Sequence, residues 1–251
     1  KTISSSDLNL TNLVSGETVG LSGSGTVSVE NVGANKTVTA GSLALTGSGA
    51  ANYTLTDYTT TFEITPRILN SSGSRVYNGS TSVNASDLTL SNLVGSETLN
   101  LSGSGTILSA AVENSKVVTK NTLSLSDNSG QASNYKLDGG THILNVTKRP
   151  ITLATSRIYD GTNVLDGTSV STTFTYSNIV GSEVLSQTGT GTVSSANVGS
   201  GKTVNITSSY SGADVNNYSV TDQSSTTADI AAKALTATAS TANKTYNRST
   251  T

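Results

Sequence analysis

The chain has 251 residues, a formal net charge of −2, 12% charged residues, one histidine and no cysteine. A near-neutral balance without a Lys/Arg cluster argues against a nucleic-acid partner. No apolar run is long enough to span a bilayer, and a chain without Cys/His clusters offers no zinc or thiol site. Apolar residues make up 33%, below the usual share for a globular domain, but they are patterned, which argues against disorder.

Read along the chain, three groups of residues recur. Asn12-Leu13-Val14 returns 80 residues later as Asn92-Leu93-Val94, and 86 residues after that as Asn178-Ile179-Val180. Asn52-Tyr53 returns as Asn134-Tyr135 and Asn217-Tyr218. Tyr77-Asn78-Gly79 returns as Tyr159-Asp160-Gly161, and Tyr246-Asn247-Arg248 opens a further copy. A unit of roughly 80 residues is longer than a solenoid repeat and close to a small domain with its own core. The copies divide the chain into 1–66, 67–149, 150–233 and the start of a fourth at 234–251. The first and last copies are incomplete, so the chain reads as a piece of a longer array. Pro66 and Pro150 both fall at seams, as suits residues that cannot donate to a sheet ladder. The seams are short and lack a Gly/Ser run, which predicts a semi-rigid rod.

Within each copy, apolar and polar residues alternate with period two. Examples are Leu8 with Leu10, Leu43 with Leu45, Tyr53 with Leu55, and Phe62 with Ile64. The second copy repeats this in Leu88 with Leu90, Leu99 with Leu101, Leu123 with Leu125, and Leu144 with Val146. The third does so in Tyr218 with Val220 and Ala228 with Ile230. Such alternation predicts half-buried antiparallel strands, five to seven per copy. The fold class is therefore all-β, with tandem small antiparallel β-sandwich domains of immunoglobulin-like kind in an elongated array. A β-grasp-like repeat with one short helix is the alternative; the helix or turn would lie at 12–17 and 92–97.

The segment Ser156-Arg157-Ile158-Tyr159-Asp160-Gly161-Thr162 resembles the opening of the YDG-type repeats of bacterial surface proteins. The third copy continues the pattern with Gly181-Ser182-Glu183, Gly189-Thr190-Gly191-Thr192-Val193, Asn197-Val198-Gly199-Ser200-Gly201-Lys202-Thr203-Val204 and Asn217-Tyr218. The second copy departs from it, reading Val112-Glu113-Asn114-Ser115-Lys116 in place of the Asn-Val-Gly segment. The resemblance implies a large haemagglutinin-like, filamentous adhesin, secreted by a two-partner route through an outer-membrane protein. It implies adhesion or surface structure, not catalysis.

Candidate chemistry is sparse. His142 has Thr60 and Thr226 at the matching positions, so it reads as an incidental residue and not as a base or ligand. The pairs Gly23/Gly25, Gly103/Gly105 and Gly189/Gly191 precede strand-like residues, so they read as close sheet packing or bulges and not as a phosphate loop. Asp160 alternates with Asn78 and Asn247, which predicts a turn rather than a calcium ligand. One covalent possibility stands out. Glu17, Lys36 and Asn52 recur as Glu97, Lys116 and Asn134, and as Glu183, Lys202 and Asn217. A buried Lys tuned by a carboxylate could join the Asn side chain with loss of ammonia. The plainer reading is an exposed Lys, a turn Glu and a capping Asn. Sequons at Asn9, Asn35, Asn52, Asn78, Asn205 and Asn217 are expected by chance in so polar a chain.

The expected function is a stalk or spacer of a secreted, bacterial cell-surface adhesin, projecting a binding region and supporting adhesion or biofilm. No cofactor, metal, catalytic residue, nucleic acid or membrane insertion is expected. A surface glycan or another adhesin copy is the alternative partner, with Tyr58, Tyr176 and Tyr210 as platforms.

Overall fold

A computed structural model describes residues 2–55, 62–166, 172–220 and 226–238, with Tyr246 and Arg248. Among these the fold is all-β. The helical elements are single 3-10 turns, at Ser5–Asp7, Ala50–Asn52, Ala85–Asp87, Ala132–Asn134 and Val215–Asn217. The helix allowed at 12–17 and 92–97 is instead a turn. Asn12, Asn92 and Asn178 enter the left-handed region at φ 64°, 73° and 67°, and Gly95 and Gly181 do so at 55°. Asn tolerates that conformation and Gly adopts it freely, so the segment coils back and does not continue as a helix.

The chain divides into two compact units. One comprises Lys1–Arg75, Thr81–Leu108 and Ser115–Asn145; the other comprises Val76–Ser80, Ser109–Asn114 and Val146–Thr251. The division does not follow the sequence repeats, because short pieces of the second repeat pack with the third.

In the first unit, Thr2–Ser4 pairs antiparallel with Ser24–Val27, which places Ile3 opposite Gly25. The second repeat reproduces this between Ser82–Asn84 and Ser104–Thr106, with Val83 opposite Gly105. The second unit holds the third instance, Val164–Asp166 against Ser186–Val193, with Leu165 opposite Gly191. Glycine is required by close approach. A Cβ on Gly25, Gly105 or Gly191 would lie 2.9, 2.7 or 2.8 Å from a methyl of Val38, Val118 or Val204. The recurrent Gly-x-Gly is thus a packing device, as expected from the strand residues that follow it.

Each repeat contributes a small cluster of buried apolar residues. The first holds Ile3, Val27 and Val38; the second is centred on Leu69, Tyr135 and Leu137; the third holds Leu153, Leu165, Val193, Val204, Ile206, Ala228 and Ile230. Burial of each such side chain is worth roughly 1.5–3 kcal/mol.

The third repeat opens with the long strand Arg149–Ile158, whose alternate residues Ile151, Leu153, Thr155 and Arg157 are buried. It pairs antiparallel with Thr172–Ser177 but parallel with Tyr218–Val220 and with the closing strand Thr226–Ala231. The antiparallel expectation therefore holds for most described pairs but not where the opening strand meets the closing strand and Tyr218–Val220. These are far apart in sequence and free to run side by side. In the second repeat, the Leu69 N–H donates to the Lys136 carbonyl at 2.9 Å and the Ser71 N–H to the Thr141 carbonyl at 3.0 Å. In the first repeat the closing strand Phe62–Ile64 pairs with Gly33–Lys36.

Candidate functional site

The three recurring motifs meet at one tyrosine in each repeat. A 3-10 turn sets Asn and then Tyr, and the Asn-Leu/Ile-Val turn folds over the Tyr hydroxyl. The N–H of Val14, Val94 and Val180 donates to the hydroxyl of Tyr53, Tyr135 and Tyr218 at 3.0, 3.2 and 3.0 Å. Each hydroxyl in turn donates to a carboxylate in the same turn, Glu17, Glu97 or Glu183. A carboxylate that accepts this proton opposes ionisation of the phenol. Tyr53 is raised above its usual range mainly by the Glu17 hydrogen bond. Tyr135 is raised mainly by burial and then by Glu97; Tyr218 is pushed up to about 12 by burial and then by the Glu183 hydrogen bond.

This cluster is also where one repeat meets the next. In the second unit, Tyr77 of the second repeat donates its hydroxyl to the other oxygen of Glu183 at 2.6 Å. Its ring meets Tyr218 edge to face, with centroids 5.7 Å apart. Tyr77 is 4% exposed, and burial pushes its phenol far up. Arg149 braces the contact. Its Nη1 donates to the Tyr77 carbonyl at 3.3 Å, while its Nε and Nη2 hold the carbonyl and side-chain oxygen of Asn178. The N–H of Val112 donates to Asn217 Oδ1 at 3.0 Å.

The first unit contains the same clasp between the first two repeats. The N–H of Val32 donates to Asn134 Oδ1 at 2.8 Å, and Asn134 Nδ2 donates to Asn31 Oδ1 at 3.0 Å. Arg67 grips Asn92 as Arg149 grips Asn178, with both bonds at 2.6 Å. Beside these residues lies an open cleft of about 670 Å³, lined by Glu30, Asn31, Arg67, Glu97, Asn134 and Tyr135 among others. Glu97 and Tyr135 are the equivalents of the Glu183 and Tyr218 that receive Tyr77.

The nine residues of the proposed crosslink sets are thus placed as follows. Glu17, Glu97 and Glu183 lie against the tyrosine that follows Asn52, Asn134 and Asn217. The amides of Asn134 and Asn217 turn to the preceding repeat. The asparagines grade from exposed at Asn52, through half-buried at Asn134, to 8% exposed at Asn217. The lysines lie on strands. Lys36 sits opposite Phe62 and Lys202 opposite Ala228, while Lys116 is buried in the strand Glu113–Val117. Arg67 and Arg149 escaped the sequence reading, although their fixed place at the seams beside the recurring Asn-Leu/Ile-Val was a usable signal.

The remaining candidates resolve into local structure. His142 is buried, with Nδ1 2.9 Å from Ser71 Oγ and Nε2 2.9 Å from the Leu137 carbonyl. It is a core residue with both nitrogens engaged, where the third repeat has Thr226 bonded to the Leu153 carbonyl. Asp160 and Asn78 accept from the N–H of Thr162 and Ser80 at 2.9 and 3.0 Å, which makes both Asx turns. Tyr176 and Tyr210 are half-buried and meet edge to face at 5.9 Å; Tyr58 and Thr60 lie outside the described residues.

Against known families, a YDG domain matches three segments, 1–62, 63–142 and 144–228. These cover most of the chain. The chain belongs to the YDG domain family. The Tyr-Asn/Asp-Gly element of the repeats is the residue stretch that carries Tyr77 into its contact with Glu183. No curated protein and no solved structure matches the chain.

Proposed function

We propose that these YDG repeats form a structural stalk in a secreted bacterial surface adhesin, holding a binding region away from the cell. The work is mechanical, and no residue takes a catalytic role. The observation that carries this reading is the recurrence of one clasp, backbone N–H of a valine to the Asn side-chain oxygen of the next repeat, at both junctions. A join repeated in the same atoms supports regular addition of copies. Such a stalk would leave the cell through an outer-membrane secretion partner and support adhesion or biofilm.

Small-angle scattering of the 251-residue chain tests this. A compact chain of this length has a radius of gyration of about 18 Å. A stalk gives a clearly larger value and a rod-like cross-section profile. A compact profile overturns the reading. Direct binding of a surface glycan by the repeats remains the alternative; a glycan array probed with the chain separates the two.

A further inference from the structure

The chain contains a single Asn-Gly pair, Asn78-Gly79, in the element that carries Tyr77 into its contact with Glu183. Asn-Gly is the dipeptide most open to attack of a backbone nitrogen on the asparagine side chain, because glycine has no Cβ to crowd the approach. Three features of the fold favour that attack. The Asn78 Oδ1 accepts from the Ser80 N–H at 3.0 Å, closing an Asx turn whose ring contains both the Asn78 Cγ and the Gly79 nitrogen. The two reacting atoms are therefore held on one small loop, and a donor already lies on the oxygen where charge develops during attack. Asn78 and Gly79 are both exposed, so solvent hydroxide reaches the Gly79 N–H. Neither that N–H nor the Asn78 Nδ2 bonds to any described residue, which leaves both the nucleophile and the leaving group open.

The third repeat builds the same turn on Asp160, whose Oδ1 accepts from the Thr162 N–H at 2.9 Å and lies 3.4 Å from Arg157 Nη1. The Thr162 N–H, and then its hydroxyl and Arg157, hold that carboxyl below its usual range. An ionised carboxylate is a poor electrophile, so the turn that is inert at Asp160 is reactive at the neutral amide of Asn78. The reactive turn also stands at a junction. Gly79 sits at φ 73°, where a Cβ would lie 2.8 Å from Val180 Cγ1. One residue before Asn78, the Tyr77 hydroxyl is fixed on Glu183 at 2.6 Å and its ring on Tyr218. Both neighbours of Asn78 are thus seated against the third repeat.

We propose that Asn78-Gly79 is a self-modifying site, at which the chain converts its own asparagine to isoaspartate and so loosens the seat of Tyr77 on the third repeat. Solvent hydroxide removes the Gly79 N–H proton, and the nitrogen attacks Asn78 Cγ. The bond from Cγ to Nδ2 breaks, Nδ2 takes a proton from water and leaves as ammonia, and a cyclic imide remains. Water then adds to one of the two imide carbonyls. Opening on one side gives aspartate in the ordinary main chain; opening on the other routes the main chain through the side-chain carbon and gives isoaspartate. The net exchange is ammonia lost for water gained, with no oxidant or reductant. The aspartate product keeps the Asx turn, as Asp160 does. The isoaspartate product lengthens the path from Tyr77 to Gly79 by one carbon–carbon bond, about 1.5 Å. The Tyr77 ring on Tyr218 and the Gly79 contact with Val180 then no longer fit together.

Ageing of the folded chain in mildly alkaline buffer tests this, followed by digestion after Arg and Lys and mass spectrometry of the peptide Val76–Lys116. The freshly purified chain is expected to carry Asn78 unchanged. On ageing, replacement of NH by O at residue 78 is expected before any change at the other asparagines, with fragment masses showing isoaspartate as well as aspartate. The Val112 N–H, which bonds Asn217 at the same junction, is expected to exchange about ten-fold faster in the separated isoaspartate form than in the fresh chain, since exchange reports local opening. The Asn78→Asp variant, aged in the same way, is expected to keep the slow exchange, which separates the effect of the longer main chain from that of the added charge. An Asn78 amide that stays intact while a free peptide of residues 74–84 converts overturns the proposal, as does conversion that begins at another asparagine. Isoaspartate at residue 78 with unchanged Val112 exchange overturns it too. The proposal is independent of the stalk reading, because the fresh chain scatters as a rod or as a compact body whatever the fate of Asn78.

Discussion

The two junctions use the same clasp but fill it differently. In the second unit Tyr77 stands in the socket, its hydroxyl on Glu183 and its ring on Tyr218. In the first unit the same socket, at Glu97 and Tyr135, is an open cleft, and the Val32–Asn134 bond stands beside it. The valine-to-asparagine bond stands at both junctions, and in the second unit the tyrosine adds burial. Asn217, beside the filled socket, is 8% exposed, while Asn52 is exposed.

The sharpest way to break the comparison is Tyr77→Ala. It removes a ring that is 4% exposed and leaves a cavity against Tyr218, which should cost about 3–5 kcal/mol in urea unfolding. The matching change Tyr159→Ala removes a ring that is 39% exposed, and should cost about 1 kcal/mol or less. Equal losses for the two would mean that Tyr77 is not a junction residue.

Alkaline pH should act next. The Tyr218 phenol is pushed up to about 12 from 10.0, so the folded state holds this proton more tightly than the unfolded chain does. The stabilisation is whole below pH 10 and is lost as the pH rises through 12. Thermal melts should show the midpoint falling by several degrees across that window. Tyr218→Phe should flatten the fall, since Phe has no proton to lose. A midpoint that falls as steeply in the Phe variant would remove Tyr218 as its cause.

Smaller effects grade along the asparagines. Asn217→Ala strands the Val112 N–H in a part-buried site and should cost roughly 1–3 kcal/mol. Asn134→Ala should cost less, and Asn52→Ala should stay within about 0.5 kcal/mol. Equilibrium unfolding of the three variants gives the order directly. The smallest expected signal is none at all: an intact mass equal to the sequence sum, because the Asn134 and Asn217 amides are held on the backbone of the preceding repeat. A deficit of one ammonia per repeat would instead place Lys-Asn crosslinks within the repeats.

Much of the fold was legible from the chain alone. The alternation in pairs such as Leu144 with Val146 and Ala228 with Ile230 marked strands, because period two is a local property of the pleat. The Gly-x-Gly and Tyr-Asn/Asp-Gly segments were legible as close packing and turns, since only small or Asx side chains suit those backbones. The recurrence of Glu, Asn and Tyr was visible too, but not its reason. A repeated Glu and a repeated Asn looked like partners for the repeated Lys, because spacing along the chain does not reveal which groups converge.

The order of the repeats, their β character and their turn residues thus follow from local patterning, which each stretch of backbone enforces on its own. The parallel pairing of opening with closing strand, the Tyr–Glu–Val cluster and the passage of Tyr77 into the next repeat depend on segments roughly 35 to 110 residues apart. No local preference encodes such contacts. They exist because burying Tyr77 and satisfying its hydroxyl is possible only where the folded third repeat presents both an aromatic face and a second carboxylate oxygen.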